Sequence, residues 1–305
     1  MNIYDFCLEE IFKESKTLID SFILNFKSSE KILRLSNDEF VQFLSEKRVK
    51  EDVIKEILEK KEEFNKEKKE LIEEYYHHIS QIKEIIGADI ISFSDKEYPV
   101  QLKKIREIPL NLYVKGNLNF DYSKSIAIVG TRNVSAHAKD KVSEIAKELA
   151  NKGFCIISGL ARGVDGQAQS SVVAINKKTI AVLPFLSNRI YPSEHNQLAR
   201  DILSNGGALV SENLFLNKQE YSPLLFTRRN RLISGLSKVV LIVEGSYKSG
   251  SLSQYYHAKR QGKIILTLKP IKDVEGAYLP KKIIKEGGIA IETASDIINI
   301  FNTKT

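Results

Sequence analysis

Between an apolar run, FCIIS, and a helical pattern, DGQAQSSVVAI, the chain places Gly159, Arg162 and Gly163. Glycines at a strand-to-helix turn admit conformations and close approaches that other residues resist. The helix start beyond them offers N–H groups and the positive end of a dipole. An arginine in that setting is chemistry for an anion, because its planar fork matches a phosphate. Two other strand ends repeat the combination. GTRNVS, after SIAIV, holds Gly130, Thr131, Arg132 and Ser135. EGSYKSGSLSQ, after VVLIV, holds Lys248, Ser249, Gly250 and Ser251. Ahead of that last run, FTRRNRLISGLS opens a helix with Arg228, Arg229, Asn230 and Arg231. With Ser158 at the end of FCIIS, these residues compose a candidate phosphate-binding crevice. Three such turns converging on one edge would suit several phosphates.

Structural roles compete for some of these residues. Ser135 can cap the helix that follows it, and Asp165 stands where a cap for DGQAQSSVVAI would stand. Arg228, Arg229 and Arg231 cannot all face one way on a helix. One or two are expected at the crevice, and another in a pair with an acid such as Glu212 or Glu244. A salt-bridge network is the alternative for the whole cluster. Tyr191, Tyr247 and Phe226 are candidates for stacking on bases, with burial in the core as the alternative for each.

The elements that must position these turns are legible from periodicity. From Ser125 onward, SIAIVG, FCIISG, TIAVLP, ALVSE, VVLIVE and IILTL alternate with helical patterns. Such Val- and Ile-rich runs, with little polar alternation, read as strands of a parallel sheet buried on both faces. AKDKVSEIAKELANKG carries Val142, Ile145, Ala146 and Leu149 at helical spacing, with Gly153 just past its end. Strand–helix alternation of this length means an α/β fold with a doubly wound sheet, whose ligands bind at the carboxyl ends of the strands. The preceding residues read as short amphipathic helices, one starting at SND with Asn37 or Asp38 as cap, then a longer helical stretch from VKEDVIKEIL to KEII. The KEEFNKEKKE run within it reads as a solvated face. The helical region is either a small DNA-binding bundle or a packing and protein-contact module. The reading divides the chain into a helical N-terminal domain over 1–90, like a SAM or helix-hairpin-helix module, and a Rossmann-like domain over 91–305, its regular alternation beginning after Tyr122.

Composition narrows the function classes. The 305 residues are 42% hydrophobic and 28% charged, as in an ordinary globular protein with a sizeable core. A formal net charge of +7 favours polyanionic partners. Two cysteines, Cys7 and Cys155, provide neither a disulfide framework nor a cysteine zinc site, and Cys155 sits in an apolar strand. No signal-peptide pattern and no apolar run of about 20 residues is found, so a cytoplasmic location is expected. No G-x-x-x-x-G-K-[ST] occurs, and no G-x-G-x-x-G follows the first apolar run, which argues against a P-loop ATPase and a dinucleotide oxidoreductase. The histidines are scattered, and no serine or cysteine has an evident base. A binding protein without cofactor or metal is expected rather than an enzyme.

The ordered blocks YPVQLKKIREIPLNLYVKGN, IAIVGTR, ISGLARGVDGQA, TIAVLPFLSNRIYPSEHNQL, GGALVSE, FTRRNRLISGLS and VVLIVEGSYKSGSL resemble those of the bacterial DNA-processing protein A family, also called Smf. They cover roughly residues 95 to 270. The resemblance implies an extended Rossmann-like fold, sequence-tolerant binding of single-stranded DNA, homodimers, and loading of the recombinase RecA onto incoming DNA during natural transformation. It places the DNA pocket at Gly130, Arg132, Ser158, Gly159, Arg162, Gly163 and the RRNR helix start, with Lys248 as a further candidate. The chain departs from the family pattern at Gln169, where histidine is usual, and at Gln254, where threonine is usual. It also has LKP where a Pro-Gly usually closes the last main strand, and Pro184 and Phe185 in a segment that tends to contain glycine. It runs out soon after ETASDIINIF, so no winged-helix domain is expected. The competing function classes are a Rossmann-like nucleotide sensor or nucleotide-processing enzyme, and a structural interaction protein. The enzyme class uses a PGGxGTxxE-type loop, and EGSYKSGSL lacks its second acid.

Overall fold

A computed structural model describes residues 3–13, 15–215, 222–270 and 275–304. The chain forms two compact units, Met1–Leu112 and Tyr113–Thr305.

The first unit is helical: α1 (Ile3–Ile11), α2 (Lys16–Phe26), α3 (Ser29–Leu33), α4 (Asn37–Glu46), α5 (Glu51–Lys66) and α6 (Lys68–Gln81), then a π-helical turn (Ile82–Ile86) and strand β1 (Asp89–Ser92). Its core is aromatic. Phe12, Phe22 and Phe40 are fully buried, with the Phe22 and Phe40 rings 4.8 Å apart. The cap of α4 is Ser36 rather than Asn37 or Asp38, because Ser36 alone satisfies the Glu39 N–H while Glu39 returns a bond to the Ser36 N–H. The long helical stretch breaks at Glu67 into α5 and α6. Its charged run is not wholly solvated: Lys61 is buried, donating to Asn37 Oδ1 at 3.0 Å and lying over the Phe40 ring.

The second unit alternates strands and helices: β2 (Asn111–Gly116, which crosses the division), β3 (Ser125–Val129), α7 (Ala136–Asn151), β4 (Cys155–Ser158), α8 (Val164–Val173), β5 (Thr179–Val182), α9 (Asn196–Ser204), β6 (Ala208–Ser211), α10 (Leu224–Leu236), β7 (Val239–Ile242), α11 (Gly250–Arg260), β8 (Ile264–Leu268), α12 (Tyr278–Lys285), β9 (Ile289–Ile291) and α13 (Ala294–Lys304). The strands run in the order β2-β6-β5-β4-β3-β7-β8-β9. Every neighbouring pair is parallel except β2 with β6. This is a doubly wound, Rossmann-like sheet, as the apolar runs require. All residues of β3 to β7 are buried, which explains why those strands show no polar alternation. The sheet gains β2 and β9 beyond the six runs, since a strand of alternating burial and one of three residues carry weak periodic signals.

Val142, Ile145 and Leu149 of α7 are wholly buried against Ile126, Ile128 and Ile156 of the sheet. Phe301 of α13 meets Phe154 edge-on, 4.8 Å between centroids. Ser135 caps α7 through the Ala138 N–H, and Gly153, at φ +81°, turns the chain out of it. Cys155 is a buried free thiol, and burial pushes its pKa up. Among the described residues no helix is long and apolar enough to cross a membrane.

Ile145→Ala removes side-chain volume from the middle of this core. It is expected to cost about 2–5 kcal/mol in urea unfolding.

Candidate functional site

From β3 the chain steps outward through β4, β5 and β6, then crosses back to β7 on the other side of β3. The connections leaving β3 and β7 therefore diverge, and a crevice opens between the carboxyl ends of these strands. It encloses about 960 Å³, and its walls include Gly130, Thr131, Arg132, Ser135, Lys248, Ser249 and Gly250. Two of the three sequence-predicted turns thus form its rim. The third, after β4, contributes Ala161 and Asp165 to it. Gly159 and Arg162 line a small adjoining recess that shares Arg132, Tyr191, Phe226 and Arg229 with the crevice.

Backbone bonds hold the turns at fixed heights. Val243 N–H donates to Val129 O at 3.0 Å, Thr131 N–H to Glu244 O at 2.9 Å, and Val164 N–H to Thr131 O at 3.2 Å. Glu244 then anchors the start of α7, accepting from the Ser135 N–H at 3.0 Å and the Ser135 hydroxyl at 2.7 Å. So Glu244 is occupied with a hydroxyl rather than an arginine. Gly163 caps α8 at φ +75°, and a Cβ there would lie 2.6 Å from Arg132 O and nearer still to Thr131 O. Only glycine fits so close to the neighbouring turn.

Beneath the turns lies a buried charge pair. Asp165 is inside α8 rather than at its cap, and its Oδ2 accepts from the Gly159 N–H at 3.0 Å. The carboxylate also takes backbone bonds from Gly130 and Ala161. Arg229 donates inward to Gly159 O at 2.7 Å and to Val182 O. Burial pushes the Asp165 carboxyl up, opposed by Arg229 and by the three amides. Burial pushes the Arg229 guanidinium down to about 10, opposed by Asp165. Each group favours the charged form of the other. A Cβ on Gly159 would lie 2.5 Å from Asp165 Oδ2 and 2.7 Å from Arg229 Cζ, so glycine is required here to let the pair reach the backbone.

The cations divide into two groups. Arg231 is buried against Glu212, which is the acid pairing expected of one RRNR arginine. Asn230 donates to Gly250 O at 3.4 Å, linking α10 to the start of α11. Arg132 and Lys248 are exposed at the crevice, and neither pairs with a carboxylate among the described residues. Arg162 is exposed and holds Glu194 through two bonds, one of 2.9 Å. That pairing holds the Glu194 carboxyl down to about 2. Ser158 is fully buried and donates to Ile128 O at 2.6 Å, so it ties β4 to β3 and does not line the crevice. Arg228 and Arg231 do not line it either. Gln169 is consumed internally, accepting from Leu160 N–H and donating to Ile180 O, both at 3.0 Å.

Two of the three candidate stacking rings, for each of which burial in the core is the commoner role, are at the surface. Tyr191 and Tyr247 are 47% and 62% exposed, and Tyr191 stands edge-on to Phe226 at the rim. Sequence reasoning did not anticipate the Arg162–Glu194 pair. It also did not anticipate Gln254 in the crevice wall. The ion pair has no local sequence signal, since it joins residues 32 positions apart, and Gln254, marked in the sequence only as a departure from the family pattern, reaches the wall from α11.

Asp165→Ala leaves Arg229 buried without its counter-charge, and a loss of about 3–5 kcal/mol is expected in denaturant unfolding. Arg162→Ala, at an exposed position, should leave the unfolding midpoint almost unchanged. The same substitution should raise the Glu194 pKa to the ordinary glutamate range in an NMR titration. The folded-state value is depressed, so the pair's stabilisation is present above the ordinary glutamate pKa and disappears as pH falls toward about 2.

The model of the DNA recombination-mediator protein A family matches residues 89–302. The chain is 36% identical over 230 residues to the DNA processing protein DprA of Bacillus subtilis, covering 74% of this chain and 76% of that one. It is 38% identical over 210 residues to the protein Smf of Escherichia coli, covering 68% and 55% of the two chains. Among solved structures, DNA processing protein A from Helicobacter pylori, described for its single-stranded DNA binding mode, superposes with a TM-score of 0.62 at 28% identity, over 72% of this chain and 98% of that one. The Streptococcus pneumoniae DprA structure shares the fold, with a TM-score of 0.67 at 23% identity over 88% and 94% of the chains. With the family model matched over residues 89–302 and this extent of similarity, the chain belongs to the DNA recombination-mediator protein A family.

Proposed function

We propose that this protein binds single-stranded DNA in the crevice between the ends of β3 and β7, with little regard to sequence. The observation that carries the reading is the pairing of exposed cations with exposed rings around glycine turns. Arg132 and Lys248 stand at the rim without acid partners among the described residues, and Arg162 adjoins them in the recess. Tyr191 offers an exposed ring in the crevice lining, and the exposed Tyr247 ring lies outside that lining with the Lys248 ammonium over it, 5.3 Å from its centroid. Cations take the backbone, and rings take bases whose faces a duplex would hide. The H. pylori relative, described for this type of binding, supports the same use of the fold here.

In this reading the chain is a binding protein without cofactor and works in the cytoplasm. It acts as a homodimer that protects incoming strands and helps load RecA during natural transformation, as the family resemblance implies. Binding is assigned to the Rossmann-like domain, taken over 91–305, and the helical domain over 1–90 serves protein contacts. Arg162 would exchange Glu194 for a phosphate as the strand enters.

Fluorescence anisotropy of labelled oligo-dT and a matched duplex, across a salt series, tests the reading. Tighter binding of the single strand is expected, with log affinity falling against log salt at a slope of about −2 if three phosphates are neutralised. Arg132→Ala should lower affinity and reduce that slope by about 0.7. Arg162→Ala should weaken binding while the protein stays folded. A flat salt response, or unchanged affinity in both variants, would count against the crevice as the strand's path.

A further inference from the structure

Gln254 lies in α11, four residues past Gly250, and lines the same crevice. Its side chain is only 2% exposed, yet neither Oε1 nor Nε2 has a hydrogen-bond partner among the described residues. Native proteins rarely bury both ends of an amide unpaired. Gln169, in α8, shows the ordinary outcome, with both of its amide atoms engaged by backbone. Gln254 lines the crevice three residues past the Ser249–Ser251 turn, and both of its amide atoms are closed to water in the free protein, so a ligand meets them only where the crevice wall yields.

The chemistry of that ligand follows from what the amide lacks. It needs an acceptor for Nε2 and a donor for Oε1, side by side. A phosphate has acceptors alone, and it would set an anion against Oε1. A sugar hydroxyl has one oxygen for both tasks and cannot reach both amide atoms in bidentate geometry. A nucleobase edge has a donor and an acceptor on adjacent atoms: N3–H and O4 in thymine, N1–H and O6 in guanine, the amino group and a ring nitrogen in adenine and cytosine. Rotating the amide by half a turn exchanges its nitrogen and oxygen, so one glutamine suits either order. We infer that Gln254 receives the hydrogen-bonding edge of a nucleobase inside the crevice, holding any base by its edge. The inference rests on the strand-binding reading and adds a base subsite to it. The cations on the rim hold the backbone, and one base turns inward to the amide.

The test compares two oligonucleotides of about 16 residues, one of thymidine and one of N3-methylthymidine. Methylation preserves charge and ring face and removes the edge donor. By anisotropy, wild type should bind the methylated strand about fivefold or more weakly, the discrimination of a single bidentate pair. Gln254→Met, of similar length without hydrogen-bonding atoms, should bind both strands alike. Equal binding of the two strands by wild type overturns the inference while leaving strand binding intact. A difference that survives in Gln254→Met overturns it too. Where Gln254→Met does not fold, Gln254→Leu takes its place in the comparison. If wild type binds neither strand, the strand-binding reading falls, and calorimetry with thymidine monophosphate and its N3-methyl counterpart decides the subsite. A preference for the unmethylated nucleotide assigns the edge contact to a free nucleotide, and indifference overturns it.

Discussion

One buried carboxylate organises this crevice. Asp165 collects the amides of Gly130, Gly159 and Ala161, so the turns after β3 and β4 share one anchor. Arg229 reaches the same level from α10 and closes onto the carbonyls of Gly159 and Val182. Neither charge could be buried alone, because desolvating an unpaired ion is costly. Together they replace water for each other and for five backbone groups. The arrangement demands glycine at 159, where any Cβ would collide with both side chains. The pair spends its charge on positioning the backbone, and other cations stand at the crevice rim.

That division resolves the apparent excess of positive charge at the site. Arg229 and Arg231 are neutralised internally, by the Asp165 carboxylate and by Glu212. Arg132 and Lys248, on flexible-stemmed side chains at the rim, remain open to a partner. Arg162 stands between, exposed but occupied by Glu194. In the proposed strand-binding reading, a polyanion would meet a preorganised floor and an adaptable rim. The floor cannot reorganise without breaking buried bonds, whereas the rim exchanges one anion for another at the surface.

The position of the crevice follows from topology. β3 is the strand from which the chain winds first one way and then the other, so its carboxyl end and that of β7 cannot be covered by a single connection. Into that gap the chain directs two turns rich in glycine and hydroxyls. The Glu244 carboxylate links them, since it follows β7 yet holds Ser135 at the head of α7. Gln254 is part of the same wall, a neutral residue whose two amide atoms are buried and unpaired among the described residues.

The sequence alone determined the six central strands, because burial on both faces demands uninterrupted Val and Ile that no helix surface or loop would carry. It determined the glycine turns as well, since positive φ and close approach leave glycine as the residue of choice. The Ser135 cap and the terminal Gly153 were legible for the same local reasons. Tertiary structure decided which polar residues are left at the crevice surface and which serve the fold. Asp165 has the spacing of a helix cap, and only the approach of Arg229 from α10 makes it a floor anchor. Ser158 looks like a ligand hydroxyl until β3 presents the Ile128 carbonyl to it. Gln169 and Gln254 are the same residue type on two helices, yet one is satisfied by β5 and a neighbouring turn and the other is left buried and unpaired among the described residues in the crevice wall. Such distinctions depend on groups far apart in the chain, and no local pattern encodes which of them will meet.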